Sequence, residues 1–230
     1  MKKSIAVLVI SFIAFTSCKT ETGTKNKVEK AATPTLTVVD SIAMQHGFDS
    51  WKDIAQFNFT FNVDRNDSHY ERSWSWNTTE NTVVATEGED VFVYNRGSLD
   101  SIANIKNANF INDRYWILLP FNLIWDRDNY TYSQTKNTIA PISNVKMNQL
   151  TIVYSNEGGY TPGDAYDIYF DDDYTIKEWV FRKGNQTEPS MTTTWEEYVN
   201  IEGMQLGTMH RDANKTLALY LSNITAKRKQ

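Results

Sequence analysis

The chain is poor in the residues that most often carry chemistry: one cysteine and three histidines in 230 residues. A single Cys excludes an intrachain disulfide. His46, His69 and His210 lie far apart, and their spacing gives neither a metal trio nor a nucleophile and base pair. No Gly-rich phosphate loop, G-x-S-x-G, H-E-x-x-H or calcium-binding loop is present. Basic residues are also short: 23 Lys plus Arg stand against 28 Asp plus Glu, a formal charge of −5, with no basic run in the body. That balance argues against nucleic acid as a partner, since affinity for a phosphate backbone comes mainly from clustered Lys and Arg. The reading is a non-catalytic protein with no cofactor and no metal.

Aromatics are abundant instead, with 7 Trp, 12 Tyr and 11 Phe in a chain that is 40% hydrophobic. A disordered chain buries too little apolar surface to offset its ordering entropy, so this one folds. At this length one domain is expected.

The first segment reads as an address. Met1-Lys2-Lys3 is a basic start, and Ser4 to Phe15 is uncharged and mostly apolar. A helix needs roughly 20 apolar residues to span a bilayer core, so this stretch is too short to span and suits a secretory leader. The only Cys follows directly after Thr16-Ser17, an arrangement that resembles the lipobox of bacterial lipoproteins. The resemblance implies cleavage before Cys18 and acylation of its thiol, hence a membrane partner through the lipid. One acyl chain anchors only reversibly, whereas two or three hold firmly. The expected domains are a leader over 1–17, lipidated Cys18 with a flexible tether over 18–35, and a β-rich body over 36–230. As a random coil the tether reaches about 20 Å. The alternative is an ordinary leader with a chance Cys.

In the body, Leu36 to His46 has helical apolar spacing with Gly47 as its stop, and Asp49 is placed to cap a second turn over Ser50 to Ala55. From Gln56 the period becomes two. Phe57, Phe59, Phe61 and Val63 alternate with polar residues, the pattern of a strand with one dry face. Asp64 to Ser68 is a turn, and the returning strand places Tyr70, Arg72, Trp74 and Trp76 on one face. Further strand patterns bring the total to about ten, including one over Met191 to Tyr198, with Gly, Asn and Asp between them, which predicts an antiparallel sheet of sequential neighbours. Residues 99–125 break the rhythm and read as helical turns at Leu99 to Ile105 and Phe110 to Leu118, the second stopped by Pro120. The fold class is α+β, a strongly curved antiparallel sheet, an incomplete barrel, with short helices covering its concave face.

The order of these pieces resembles the LolA/LolB-like lipoprotein-localisation fold, found also in exported bacterial lipoproteins of unknown function. The likeness rests on a helix ending in HGF with Trp51 after it, then FNFTFNV, SHYERSWSWN and GEDVFVYNRG (88–97), then the insert ending WILLPFNLIW and the strand pair YDIYFDDDYTIKEWVF (166–181). It implies an apolar cavity that holds acyl chains, no chemistry, and a place in the bacterial cell envelope, lipid-anchored at the outer membrane. In that family's soluble carriers an Arg just after the second strand latches the lid. Here Asn77 and Thr78 follow Trp76, and Arg72 stands five residues early.

The candidate cavity wall is Phe57, Phe59, Phe61, Tyr70, Arg72, Trp74, Trp76, Trp179 and Phe181, with Trp116 and Phe121 on the helical lid. Alternating aromatics suit a filled core first and a cavity second. Arg72 among them needs a partner, since an unpaired buried cation is costly; a nearby Asp or Glu is the simplest. The expected partner is a lipid or lipoprotein acyl chain bound by a monomer. Alternatives are a structural lipoprotein whose core is filled by its own side chains, and a surface glycan-binding protein with exposed Trp.

Overall fold

Residues Thr37 and Asp40 start the body: the Thr37 hydroxyl accepts from Asp40 N, and the Asp40 carboxylate accepts in return from Thr37 N at 3.0 Å. This reciprocal box sets α1 (Val38–Gln45). The computed structural model describes residues 36–157 and 161–230, so the leader, Cys18 and the tether lie outside the described residues. Leu36–Gln230 is one compact unit.

Gly47 ends α1 with φ +84°, and a Cβ there would sit 2.1 Å from the Gly203 carbonyl oxygen. Both facts require glycine. Gly47→Ala should therefore cost more than about 1 kcal/mol, read as a lower urea midpoint; an unchanged midpoint would refute the strain. The second helix, α2 (Phe48–Trp51), begins earlier than the Ser50 to Ala55 turn the sequence suggested. Gly47 already turns the chain, and Ser50 N donates to the Gly47 carbonyl at 2.9 Å, which starts the turn at Phe48.

The alternating segment is β1 (Ile54–Arg65), which pairs with β2 (Ser68–Asn77) across a two-residue turn. Asn66 takes φ +54° there, a conformation Asn tolerates. The register sets Phe57 opposite Trp76, Phe59 opposite Trp74 and Phe61 opposite Arg72. The remaining strands are β3 (Thr82–Glu87), β4 (Asp90–Asn95), β5 (Tyr130–Ile139), β6 (Lys146–Tyr154), β7 (Ala165–Phe170), β8 (Ile176–Arg182), β9 (Met191–Thr194), β10 (Glu196–Ile201), β11 (Met204–Arg211) and β12 (Leu217–Arg228). Among the described residues twelve strands thus replace the expected ten or so.

They form an antiparallel sheet of order β10-β11-β12-β1-β2-β3-β4 and another of order β5-β6-β7-β8-β9. The neighbours are not all sequential: β12 returns to pair with β1. What reads as one strand over Met191 to Tyr198 changes partner at Trp195. Thr194 is opposite Glu178 of β8, while Glu196 is opposite Met209 of β11. Trp195 N still donates to the Lys177 carbonyl, and Glu197 at φ +54° bends the chain away. A strand that switches sheets at a bend turns a corner. The two sheets therefore run on as one curved surface, open between β4 and β5. This is the α+β incomplete barrel.

The opening is filled by a single helix, not by separate turns. α3 (Ser101–Trp125) is capped by the Asp100 side chain, which accepts from Ala103 N at 2.8 Å, and it runs through Pro120. Pro120 cannot donate to the Trp116 carbonyl, and the helix absorbs this as a kink at Leu118 (φ −113°, ψ 20°). From Phe110 to Leu123 every residue but Asn112 is buried. Its side chains reach both halves of the sheet: Phe110 packs against Trp74 and Trp76, and Trp116 against Trp179 at 4.7 Å between ring centres. The helix covers the inner face.

Candidate functional site

Two cavities lie between α3 and the strands it faces. The larger, about 390 Å³, is walled by Trp51, Trp76, Ile111, Trp125 and Tyr154 and carries the charged side chains Arg96, Arg114 and Asp126. The smaller, about 270 Å³, is lined by Trp116, Tyr166, Trp179, Phe181 and Met191 with Asp164 at its side. Ile111 and Tyr115 line both, so the cavities adjoin along one face of α3. Each volume suits part of a small-molecule ligand, for which sites of roughly 300–1,000 Å³ are usual.

The larger cavity is aromatic with a polar chain along one wall. The Tyr115 and Tyr154 hydroxyls share a hydrogen bond of 3.2 Å, and Tyr154 donates on to Asp126 at 3.1 Å. Burial pushes the Asp126 carboxyl above its ordinary pKa, against the lowering effects of Tyr154 and Arg114. Arg114 lies over Trp125 with its guanidinium 4.9 Å from the ring centre, and it donates to Asn122 at 3.1 Å. Arg96 lies over Trp76 at 5.4 Å and over Phe110 at 5.5 Å, donating to the side-chain oxygens of Asn107 and Asn81. The Trp76 indole N–H is buried with no acceptor among the described residues.

The sequence candidates divide between wall and core. Trp76 lines the larger cavity, and Trp116, Trp179 and Phe181 line the smaller. Phe57, Phe59, Phe61, Trp74 and Phe121 are buried in the core and line neither. Tyr70 is partly exposed and donates to Glu87 at 2.9 Å, with its phenol pushed up to about 12 first by desolvation and then by that carboxylate. Arg72 points to a carboxylate, but one from α3: its Nε and Nη2 each donate to Asp113 at 2.8 Å. Trp74 Nε1 adds a third donor at 2.8 Å and Asn112 a fourth at 3.1 Å. Burial pushes the Asp113 carboxyl up, opposed by these donors; burial also lowers Arg72, but the Asp113 carboxylate outweighs this and raises it.

Sequence reasoning missed Arg96, Arg114, Tyr115, Asp126 and Tyr154. One signal was available: Asp113 and Arg114 are adjacent charges placed directly before the apolar run of residues 115–121. Among the described residues no group of His, Cys, Asp and Glu is placed to hold a metal, and no helix is long and apolar enough to cross a membrane.

No protein-family model and no curated protein matches the chain. Solved structures similar to it include a LolA superfamily protein from Nitrosomonas europaea, 12% identical, covering 85% of this chain and 96% of that one at a TM-score of 0.49. A DUF1329 family protein from Desulfovibrio piger is 11% identical over 83% of this chain and 92% of its own, with a TM-score of 0.45. An outer membrane lipoprotein-sorting protein domain from Vibrio parahaemolyticus is 8% identical over 81% and 92%, also with a TM-score of 0.45.

Proposed function

We propose that the body is a non-catalytic binding domain that takes a lipid acyl chain, or a ligand of similar apolarity, between α3 and the curved sheet. The observation that carries this reading is the pair of adjoining aromatic-walled cavities against α3. Around Phe57, Phe59 and Trp74 the core is filled, with Phe110 packed on Trp74; beside Trp76, and where Trp179 and Tyr166 face the helix, space remains. The filled-core alternative thus describes only part of the interior. None of the seven Trp is exposed, which removes the stacking platform a surface glycan-binding protein needs.

In this reading acylated Cys18 holds the domain at the bacterial outer membrane. The body from residue 34 onward carries 17 Lys plus Arg against 26 Asp plus Glu, a net −9. Anionic headgroups repel such a surface, so attachment falls to the lipid. Labelled palmitate should enter the wild-type chain in cells and be absent from Cys18→Ser; retained label would refute the anchor.

The binding reading is tested on a chain starting at Leu36, which contains every described element of the compact unit. Mass spectrometry of solvent extracts should detect co-purified acyl lipids, and a fluorescent fatty acid should bind with saturation. A protein that is empty and also ignores the probe would sink the proposal.

A further inference from the structure

We propose that the cavity pair selects an amphiphile with an anionic head, a carboxylate or phosphate carried on an acyl or alkyl chain. The head would lie in the larger cavity against Arg96, Arg114 and the Trp76 indole N–H, and the tail in the smaller. This rests on the binding reading above and names the ligand class that reading leaves open.

The charges are distributed unevenly. Among the described residues the larger cavity has two guanidiniums and one carboxylate in its lining, while the only charged side chain lining the smaller is Asp164. In a body with a net charge of −9 this is a local positive site, and the two ends of the combined space differ in sign. An anion is favoured at one end and disfavoured at the other, which orients an amphiphile. Electrostatic interactions in such a partly buried space are stronger than at the surface.

Donors are also in place for it. Among the described residues the Arg96 side chain donates to the neutral side-chain oxygens of Asn107 and Asn81 and to no carboxylate. Its planar fork, with the guanidinium carbon 5.4 Å from the Trp76 ring centre and 5.5 Å from that of Phe110, suits a carboxylate or phosphate oxygen pair. Trp76 is 6% exposed, and its Nε1 has no acceptor among the described residues, a buried donor of the kind that native structures seldom leave unused. Neighbouring Trp51 and Trp125, 5.2 and 6.4 Å from Trp76 between ring centres, exclude water around the head. The smaller cavity continues past Ile111 and Tyr115 with Trp116, Trp179, Phe181 and Met191, an apolar path for the tail.

The test is a binding series at pH 8 on the chain starting at Leu36, read by quenching of Trp fluorescence below the micelle concentration of each probe. Laurate and dodecyl phosphate should bind about tenfold or more tighter than dodecanol, and inorganic phosphate alone should bind far more weakly than either. Arg96→Gln should bring laurate to within about threefold of dodecanol. The wild-type ratio needs no variant, so the proposal remains testable if Arg96→Gln fails to fold. Equal wild-type affinity for laurate and dodecanol would overturn the headgroup selection and leave the acyl-binding reading standing. Inorganic phosphate binding as tightly as dodecyl phosphate would overturn it in favour of a free-anion site. Failure of all four probes would overturn both readings.

Discussion

Asp113→Ala should lower the unfolding free energy by about 3–5 kcal/mol, the usual consequence of removing one partner from a buried ion pair. The Asp113 side chain is fully buried and that of Arg72 is 11% exposed. Removing the carboxylate leaves the Arg72 guanidinium among Phe61, Tyr70 and Trp74 without its ion-pair partner, and it also strands the Trp74 indole N–H, which donates to Asp113 at 2.8 Å. A desolvated cation without a partner accounts for most of the loss. For a chain of this size the change corresponds to a fall in Tm of about 6–20 °C. The double variant Arg72→Met with Asp113→Leu removes both charges and should recover most of that loss, because a well-packed apolar pair commonly matches a buried ion pair in stability. Calorimetry and urea unfolding of the three proteins check this. A loss below about 1 kcal/mol for Asp113→Ala would mean that Arg72 reaches water, as exposed ion pairs do.

That pair also shows where sequence stops informing structure. β1 is legible because Phe57, Phe59 and Phe61 face the core while Asn58 and Gln56 face polar partners, so burial imposes a period of two on the residues themselves. The turn after it is legible because Asn66 tolerates positive φ. α3 is not, for the opposite reason. Its Phe110–Leu123 segment is enclosed on nearly every side, so no polar face marks the helical period, and Pro120 suggests a stop where the structure has only a kink. The corner at Trp195 is hidden similarly, since alternation continues across a residue at which the strand changes partner. A carboxylate for Arg72 was predictable from the cost of burying a cation. That it is Asp113, 41 residues away on α3, depends on tertiary packing. The cavity lining is harder still: Trp51, Trp76, Arg96, Arg114 and Tyr154 come from widely separated segments and share no pattern. Aromatic alternation alone cannot separate the filled part of the interior from the open part.

Lowering the pH should destabilise the protein well before its ordinary carboxylates titrate, and His210 should account for half or more of the histidine effect. Burial depresses His210 from 6.5 to about 3 and His46 from 6.5 to about 4, with their backbone carbonyl partners opposing the shift. His210 Nδ1 faces the Thr194 carbonyl at 3.1 Å, and its ring packs against Trp195 and Trp116; His46 Nδ1 faces the Ile42 carbonyl at 2.8 Å. Both are neutral in the folded and unfolded states well above pH 6.5. As the pH falls below 6.5 the unfolded chain takes up protons that the folded chain refuses, so stability drops by up to about 1.4 kcal/mol per pH unit for each histidine. The loss ends near pH 4 for His46 and near pH 3 for His210, amounting to about 3 and about 5 kcal/mol. Burial raises the Asp113 and Asp126 carboxyls, and they work the other way, since the folded state protonates them first. The clean measurement is therefore a difference. Urea unfolding of wild type and His210→Gln at several values between pH 6 and pH 4 should give slopes that differ by about 1.4 kcal/mol per pH unit, with the wild type losing stability faster. The carboxylates cancel in that comparison, as does any fixed cost of the substitution. Parallel lines would mean that His210 is protonated in the folded protein, held by the Thr194 and Trp116 carbonyls together, and that burial is not the dominant influence on it.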